Sequence, residues 1–216
     1  MTIEGYTIDT LTAANLRRRV NRSLIVQEAH HVARIEGEDL HIEWTYAGYC
    51  RAKRETAMEF SVESAYAVTL AELDCAGYDL GHDPAMEHKI QPLLIGTNGL
   101  SKKISVPFLE PLHAQQPFKV MLRCTLPRCM TLGFAYYTAT LSFAQKRIRR
   151  STVRLIFVGH KPRWVRVYEC LPHRPPVLIK TLTSTRGMEG ESEYLDIIGD
   201  PGGRSARVYT FWRDSI

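Results

Sequence analysis

Apolar and polar residues alternate with a period of two along most of this 216-residue chain. That spacing puts every second side chain on one face of a β-strand. Leu40, Ile42, Trp44 and Tyr46 alternate with His41, Glu43 and Thr45. Phe118, Val120, Leu122 and Cys124 alternate with Lys119, Met121 and Arg123. Shorter runs of the same kind occur at Leu24–Ile35, Met58–Val62, Tyr66–Leu70, Ile104–Phe108, Val177–Leu182, Tyr194–Ile198 and Arg207–Trp212. Pro107 cannot donate to a ladder, so its strand is expected at a sheet edge. Turn residues separate the runs, as in Glu36-Gly37-Glu38-Asp39 and Thr97-Asn98-Gly99. The segment 73–85 carries Gly77, Gly81 and Pro84 and reads as irregular.

The densest pattern lies between Thr138 and Cys170. Ala139, Leu141 and Phe143 make one strand, Val153, Leu155 and Phe157 a second, Val165 and Val167 a third. Gly159-His160-Lys161-Pro162 has the composition of a hairpin loop between the last two. Pairing Val158 with Trp164 gathers Val153, Leu155, Phe157, Val165 and Val167 on one dry face. The opposite face then collects Arg154, Trp164, Arg166 and Tyr168, and the tail 175–216 is a candidate cover for it.

Regularly spaced short strands without βαβ alternation predict an all-β fold, an antiparallel β-sandwich of about ten to twelve strands. It is immunoglobulin-like in architecture only, because the Cys…Trp…Cys spacing is absent. At most one short helix is expected, at 9–21, where Asp9 or Thr10 could cap an N-terminus. Leu171-Pro172-His173-Arg174-Pro175-Pro176 punctuates the chain. It divides a β-sandwich domain, 1–171, from a β-rich appendage, 172–216, that could pack on the same sandwich.

Composition changes this picture little. The net charge of +5 permits an anionic partner without requiring one. The five cysteines are odd in number and widely spaced, which argues against a secreted disulfide framework. A polar N-terminus and the lack of any apolar run near ~20 residues predict a soluble, reduced, cytoplasmic protein without a membrane partner.

Candidate chemistry is sparse. Cys124 and Cys129 lack the second pair of a zinc knuckle, and Cys124 on an apolar strand face behaves as a small hydrophobe. His30 and His31 point to opposite sides of a strand, so no metal is expected there. Asp79, His82, Asp83 and His88 cluster in the 73–89 loop, the place for a hydrolase-type site if there is one. No nucleophile elbow, P-loop or dinucleotide fingerprint occurs, so neither catalytic residues nor cofactors are expected. What stands out is an aromatic/basic constellation: Arg150, Arg154, Trp164, Arg166 and Tyr168. Rings beside guanidinium groups suit a protein anchor or stacked bases. The sequence thus leads to a non-enzymatic binding or adaptor protein, possibly a regulatory subunit, that engages another protein. The alternative is a binder of a small anionic ligand or single-stranded nucleic acid through the same face.

Overall fold

The computed structural model describes residues 2–8, 21–63, 69, 71–81, 87–98, 101–130, 132–140, 148–186, 188–199 and 205–214. These contain seventeen strands and no helix. The helix expected at 9–21 and the strand expected at 66–70 lie almost wholly outside the described residues. In chain order the strands are β1 (Thr2–Ile3), β2 (Tyr6–Thr7), β3 (Leu24–Glu36), β4 (Asp39–Cys50), β5 (Glu55–Glu63), β6 (Ala76–Asp79), β7 (His88–Ile90) and β8 (Leu93–Asn98). They continue as β9 (Ser101–Leu112), β10 (Pro117–Leu126), β11 (Gly133–Thr140), β12 (Arg150–Val158), β13 (Val165–Cys170), β14 (Val177–Leu182), β15 (Thr185–Arg186), β16 (Glu191–Ile198) and β17 (Ala206–Arg213).

An eight-stranded sheet, ordered β15-β16-β12-β3-β4-β10-β6-β7, forms one layer. A four-stranded sheet, β11-β17-β13-β14, and a three-stranded sheet, β5-β9-β8, supply core residues opposite it. The core is continuous across all three sheets. Ala29, Ala33 and Ile42 come from the large sheet, Met58, Phe60 and Val106 from the three-stranded one, and Val165, Tyr209 and Phe211 from the four-stranded one. Period-two alternation puts these residues inward and leaves Glu28, His30, Val32 and Arg34 of β3 on the outer side. The fold is the all-β sandwich that the alternation predicts. One pairing departs from antiparallel: β12 runs parallel to β3, from Arg150↔Glu28 to Val158↔Glu36.

That pairing overturns the hairpin expected between the second and third strands of the central region. β12 lies between β3 and β16, whereas β13 lies between β17 and β14 in the other layer. Residues 159–164 are a crossover between layers. Val153, Leu155, Phe157, Val165 and Val167 are all buried, as the alternation requires, but they meet across the core. Burial alone fits both arrangements, because a hairpin face and two facing sheets give the same apolar pattern.

Two further expectations change. Residues 76–79 form β6, and its register with β10 runs Leu122↔Gly77 and Arg123↔Ala76. The next step brings Cys75 beside Cys124, and the two are joined in a disulfide. Cys124 is therefore not a free thiol; Cys50 and Cys170 are. Pro107 lies on β9, the middle strand of its sheet, but β8 pairs only as far as Ser105. At Pro107 the strand has β5 alone as neighbour, so the missing N–H costs no ladder bond there.

The segment after residue 172 supplies β14 to β17. β16 pairs with β12, and β17 sits between β11 and β13. The cover for the outward side of β13 comes from the other end of the chain, as described next.

Candidate functional site

β13 turns Val165 and Val167 into the core, so Arg166, Tyr168 and Cys170 face outward. Across the sheet, Arg166 stands beside Thr210 and Tyr168 beside Val208 on β17. Trp164, just before β13, is level with Trp212, because the Arg163 N–H donates to the Trp212 carbonyl at 3.0 Å. Trp212 is in turn opposite Phe134 of β11. The result is a row of three half-exposed aromatic residues, Trp164, Trp212 and Phe134, across the outer face of the four-stranded sheet. The Arg166 guanidinium lies over the Trp164 ring, 4.4 Å from its centre, a cation–π contact.

The other end of this face is covered by the small hairpin β1–β2. Ile3 and Ile8 are buried on Cys170, Ala206 and Val208, in an apolar cluster separate from the main core. Tyr136 and Tyr168 wall it. The hairpin turn carries Glu4, whose Oε1 accepts from the Arg166 guanidinium and, at 2.7 Å, from the Tyr168 hydroxyl. Tyr6 stacks on Phe134 with ring centres 3.8 Å apart. Burial, and then the Glu4 carboxylate, push the Tyr168 hydroxyl up to about 12. Two buried isoleucines are worth roughly 3–6 kcal/mol together. Ordering seven residues costs about 7 kcal/mol or more in backbone entropy. Burial alone thus falls short of the ordering cost, and the Glu4 contacts and the Tyr6 stack supply the rest of the hold on the hairpin.

The sequence-predicted site residues fall into two groups. Trp164, Arg166 and Tyr168 share the outer face of the four-stranded sheet. Arg150 and Arg154 lie on the outer face of the eight-stranded sheet, on the far side of the core. The single aromatic/basic face does not form, because β12 and β13 belong to different layers. Arg154 is bound to Glu193 of β16 at 2.6 Å, and Arg150 is exposed beside Glu28. Trp212, Phe134, Tyr6 and Glu4 were missed. The two aromatics alternate correctly in their strands, but nothing in the sequence joins residue 4 to residue 166.

The 73–89 region offers less. His82 and Asp83 lie outside the described residues. Asp79 is buried, and its carboxylate accepts from the backbone N–H groups of Gly81, at 2.9 Å, and Leu109, at 3.1 Å. It ties β6 to β9, a structural duty. The cleft beside it, lined by Gly81, Glu110, Gln116 and Phe118, encloses about 30 Å³, room for a water molecule or two.

His30 and His31 do face opposite sides. His30 is half-buried and bonds the Thr152 hydroxyl at 2.8 Å. His31 is buried between the layers, with Nε2 at 3.1 Å from the Tyr46 hydroxyl and Nδ1 at 3.3 Å from that of Tyr137. Trp44 Nε1 donates to the same Tyr137 oxygen at 2.7 Å. Desolvation, reinforced by His30, lowers the imidazole to about 3, so it is neutral at physiological pH. The same burial raises Tyr46 and Tyr137. With both ring nitrogens engaged by hydroxyls, His31 is a satisfied core group and has no free nitrogen for a metal.

No family model matches the chain, and no curated protein matches it. Solved structures do. The M1 zinc metallopeptidase from Deinococcus radiodurans aligns with a TM-score of 0.52 at 13% identity, over 92% of this chain and 45% of that one. A point mutant of that enzyme aligns with a TM-score of 0.51 at 12% identity over the same shares. The likeness is one of fold, and the chain spans less than half the length of these structures. Among the described residues no three His, Cys, Asp or Glu side chains converge as a metal site. Nor is any helix among them long and apolar enough to cross a membrane.

Proposed function

We propose that this chain is a non-enzymatic β-sandwich module that engages another protein, an adaptor or regulatory element. The observation that carries this reading is the aromatic row Trp164–Trp212–Phe134, with Arg166 stacked on Trp164. Trp, Tyr and Arg dominate the energetics of protein interfaces because each combines a large apolar area with a polar handle. A flat, half-exposed row of them on a rigid sheet is an anchor for a partner's side chains.

One consideration separates this reading from zinc catalysis and another from binding of an anionic ligand. A zinc protease of the H-E-x-x-H type carries its ligands on a helix. That motif is absent from this sequence, and the described residues contain no helix. The likeness to a metallopeptidase is therefore one of fold and carries no zinc chemistry to this chain. The anionic-ligand reading loses support for a different reason. Arg166 is paired with Glu4, Arg163 with Asp214 and Arg154 with Glu193. Cations already neutralised within the chain attract a phosphate backbone weakly.

Location belongs to the same proposal. The cytoplasmic placement expected from the sequence requires Cys75 and Cys124 to stay reduced there, since cytosolic thiols seldom form lasting disulfides. Counting thiols in denaturant after non-reducing preparation decides the point. Three reactive thiols mean the disulfide is formed, whereas five mean it is not.

The function is tested by capture from the native host with immobilised chain, followed by Trp164→Ala/Trp212→Ala. A stoichiometric partner retained by the parent and lost with the double variant is the expected result. Equal retention by both would remove the aromatic row as the site. Binding to single-stranded RNA that weakens steadily as salt rises would replace this reading with the nucleic-acid one.

A further inference from the structure

Among the described residues, the β1–β2 hairpin forms a sheet of its own and pairs with no other strand. It sits in a groove that has a complete recognition chemistry. The floor is apolar and fully buried beneath it: Cys170, Ala206 and Val208. One wall presents a guanidinium and a phenol hydroxyl that converge on a single carboxylate oxygen. The occupant supplies an aliphatic side chain immediately followed by a carboxylate, Ile3-Glu4, and a second aliphatic side chain at Ile8. This cluster is distinct from the main core. Emptying the groove therefore leaves the contacts between the large sheet and the two small ones in place.

We infer that this groove is the docking site for an extended segment of another protein, an aliphatic residue followed by an acidic one, and that the chain's own hairpin occupies it until displaced. The inference deepens the proposed function, on which it rests, by naming the partner's chemistry and the contact that blocks it. Charge complementarity selects the occupant. Arg166 and Tyr168 both donate, so they require an acceptor, and the carboxylate of Glu4 meets both at once. The aromatic row continues from the groove through Phe134, on which Tyr6 stacks, so a longer partner segment would run from the groove onto Trp212 and Trp164.

Cys170 gives a direct readout, because it is a free thiol with no exposure, lying under the hairpin. Cys50 is equally buried but belongs to the main core. In the intact chain, labelling with a small alkylating reagent, mapped by mass spectrometry, follows each thiol. Cys170 is expected to react at least about 100-fold faster than Cys50, through hairpin release without unfolding. Reaction of both at one rate, that of global unfolding, would overturn the inference.

A second measurement uses the synthetic peptide Thr-Ile-Glu-Gly-Tyr-Thr-Ile, the sequence of residues 2–8, with the full-length Ile3→Asp variant. The peptide is expected to slow Cys170 labelling about ten-fold at low-millimolar concentration, the range where weak sites saturate. The same peptide with lysine in place of its glutamate should give no protection. No slowing by either peptide, or equal slowing by both, would sink the docking site. Labelling is read on the chain and peptide alone and needs no native partner, so failure here and failure of the partner capture are read separately.

Discussion

Two buried side chains show how much of this molecule rests on single polar groups. His31 is neutral because burial lowers it from 6.5 to about 3. Its folded value lies below its unfolded one, so the unfolded chain takes up the proton first. Stability is full above the unfolded value and drains as pH falls from 6.5 towards 3, by about 1.4 kcal/mol per pH unit. Urea midpoints measured across that range should fall steeply in the parent. In His31→Gln they should fall less steeply, from a lower start. Arg213 is the second case. It is buried at the end of β17, and its guanidinium donates to the carbonyls of Gly37, in the β3–β4 turn, and Met130, in the β10–β11 loop. Arg213→Met keeps the bulk and orphans both acceptors. A loss of about 3 kcal/mol or more in denaturant unfolding is expected, since bonds to a charged donor contribute about 1.5–3 kcal/mol each. His31's burial is half legible in the sequence, since alternation puts one of the two histidines inward. Its hydroxyl partners are not, because Tyr137 belongs to the opposite layer.

At the scale of elements, the β3–β4 pair shows where local sequence runs out. The register shifts by one between Val26 and Glu28, so Gln27 has no partner on β4. Gly48 sits beside this bulge, and a Cβ there would come within 1.8 Å of the Ile25 carbonyl oxygen. The requirement is close approach of two backbones, not a special φ. Gly48→Ala should cost at least about 3 kcal/mol, and circular dichroism should show loss of strand signal at a lower temperature. Alternation predicts both strands but not the bulge, which only their pairing reveals. β6 gives the complementary lesson. Ala76–Asp79 is too short and too rich in small residues to show a pattern, yet it places Cys75 opposite Cys124. The disulfide closes a separation of 49 residues that takes in β6 to β9. Its removal by Cys75→Ser/Cys124→Ser should lower stability by about 4 kcal/mol in the chain-entropy account. Equal urea midpoints for that variant and the non-reduced parent would mean the bond contributes nothing.

For the molecule as a whole, the arrangement of layers decides what the surface can do. Lys180 of β14 reaches across the open side of the sandwich to the buried Asp196 of β16, which also accepts from the Tyr209 hydroxyl at 2.8 Å. This polar seam joins the four-stranded sheet to the eight-stranded one. The hairpin on the outside is a lighter attachment. Ile3→Asp should lower global stability by no more than about 2 kcal/mol, because the main core loses nothing. A larger loss in thermal unfolding would show that the hairpin is integral to the fold.

Period-two alternation by itself determined the longer strands, their inward faces and the all-β class, because those depend on neighbours along one chain. The tertiary structure alone decided that β12 and β13 lie in separate layers, that Cys75 meets Cys124, and that Glu4 closes on Arg166. Each is a contact between segments far apart in sequence, and apolar spacing carries no information about which distant segment becomes the partner. The aromatic/basic constellation was visible as residues, but only the layering separates Arg150 and Arg154 from Trp164, Arg166 and Tyr168.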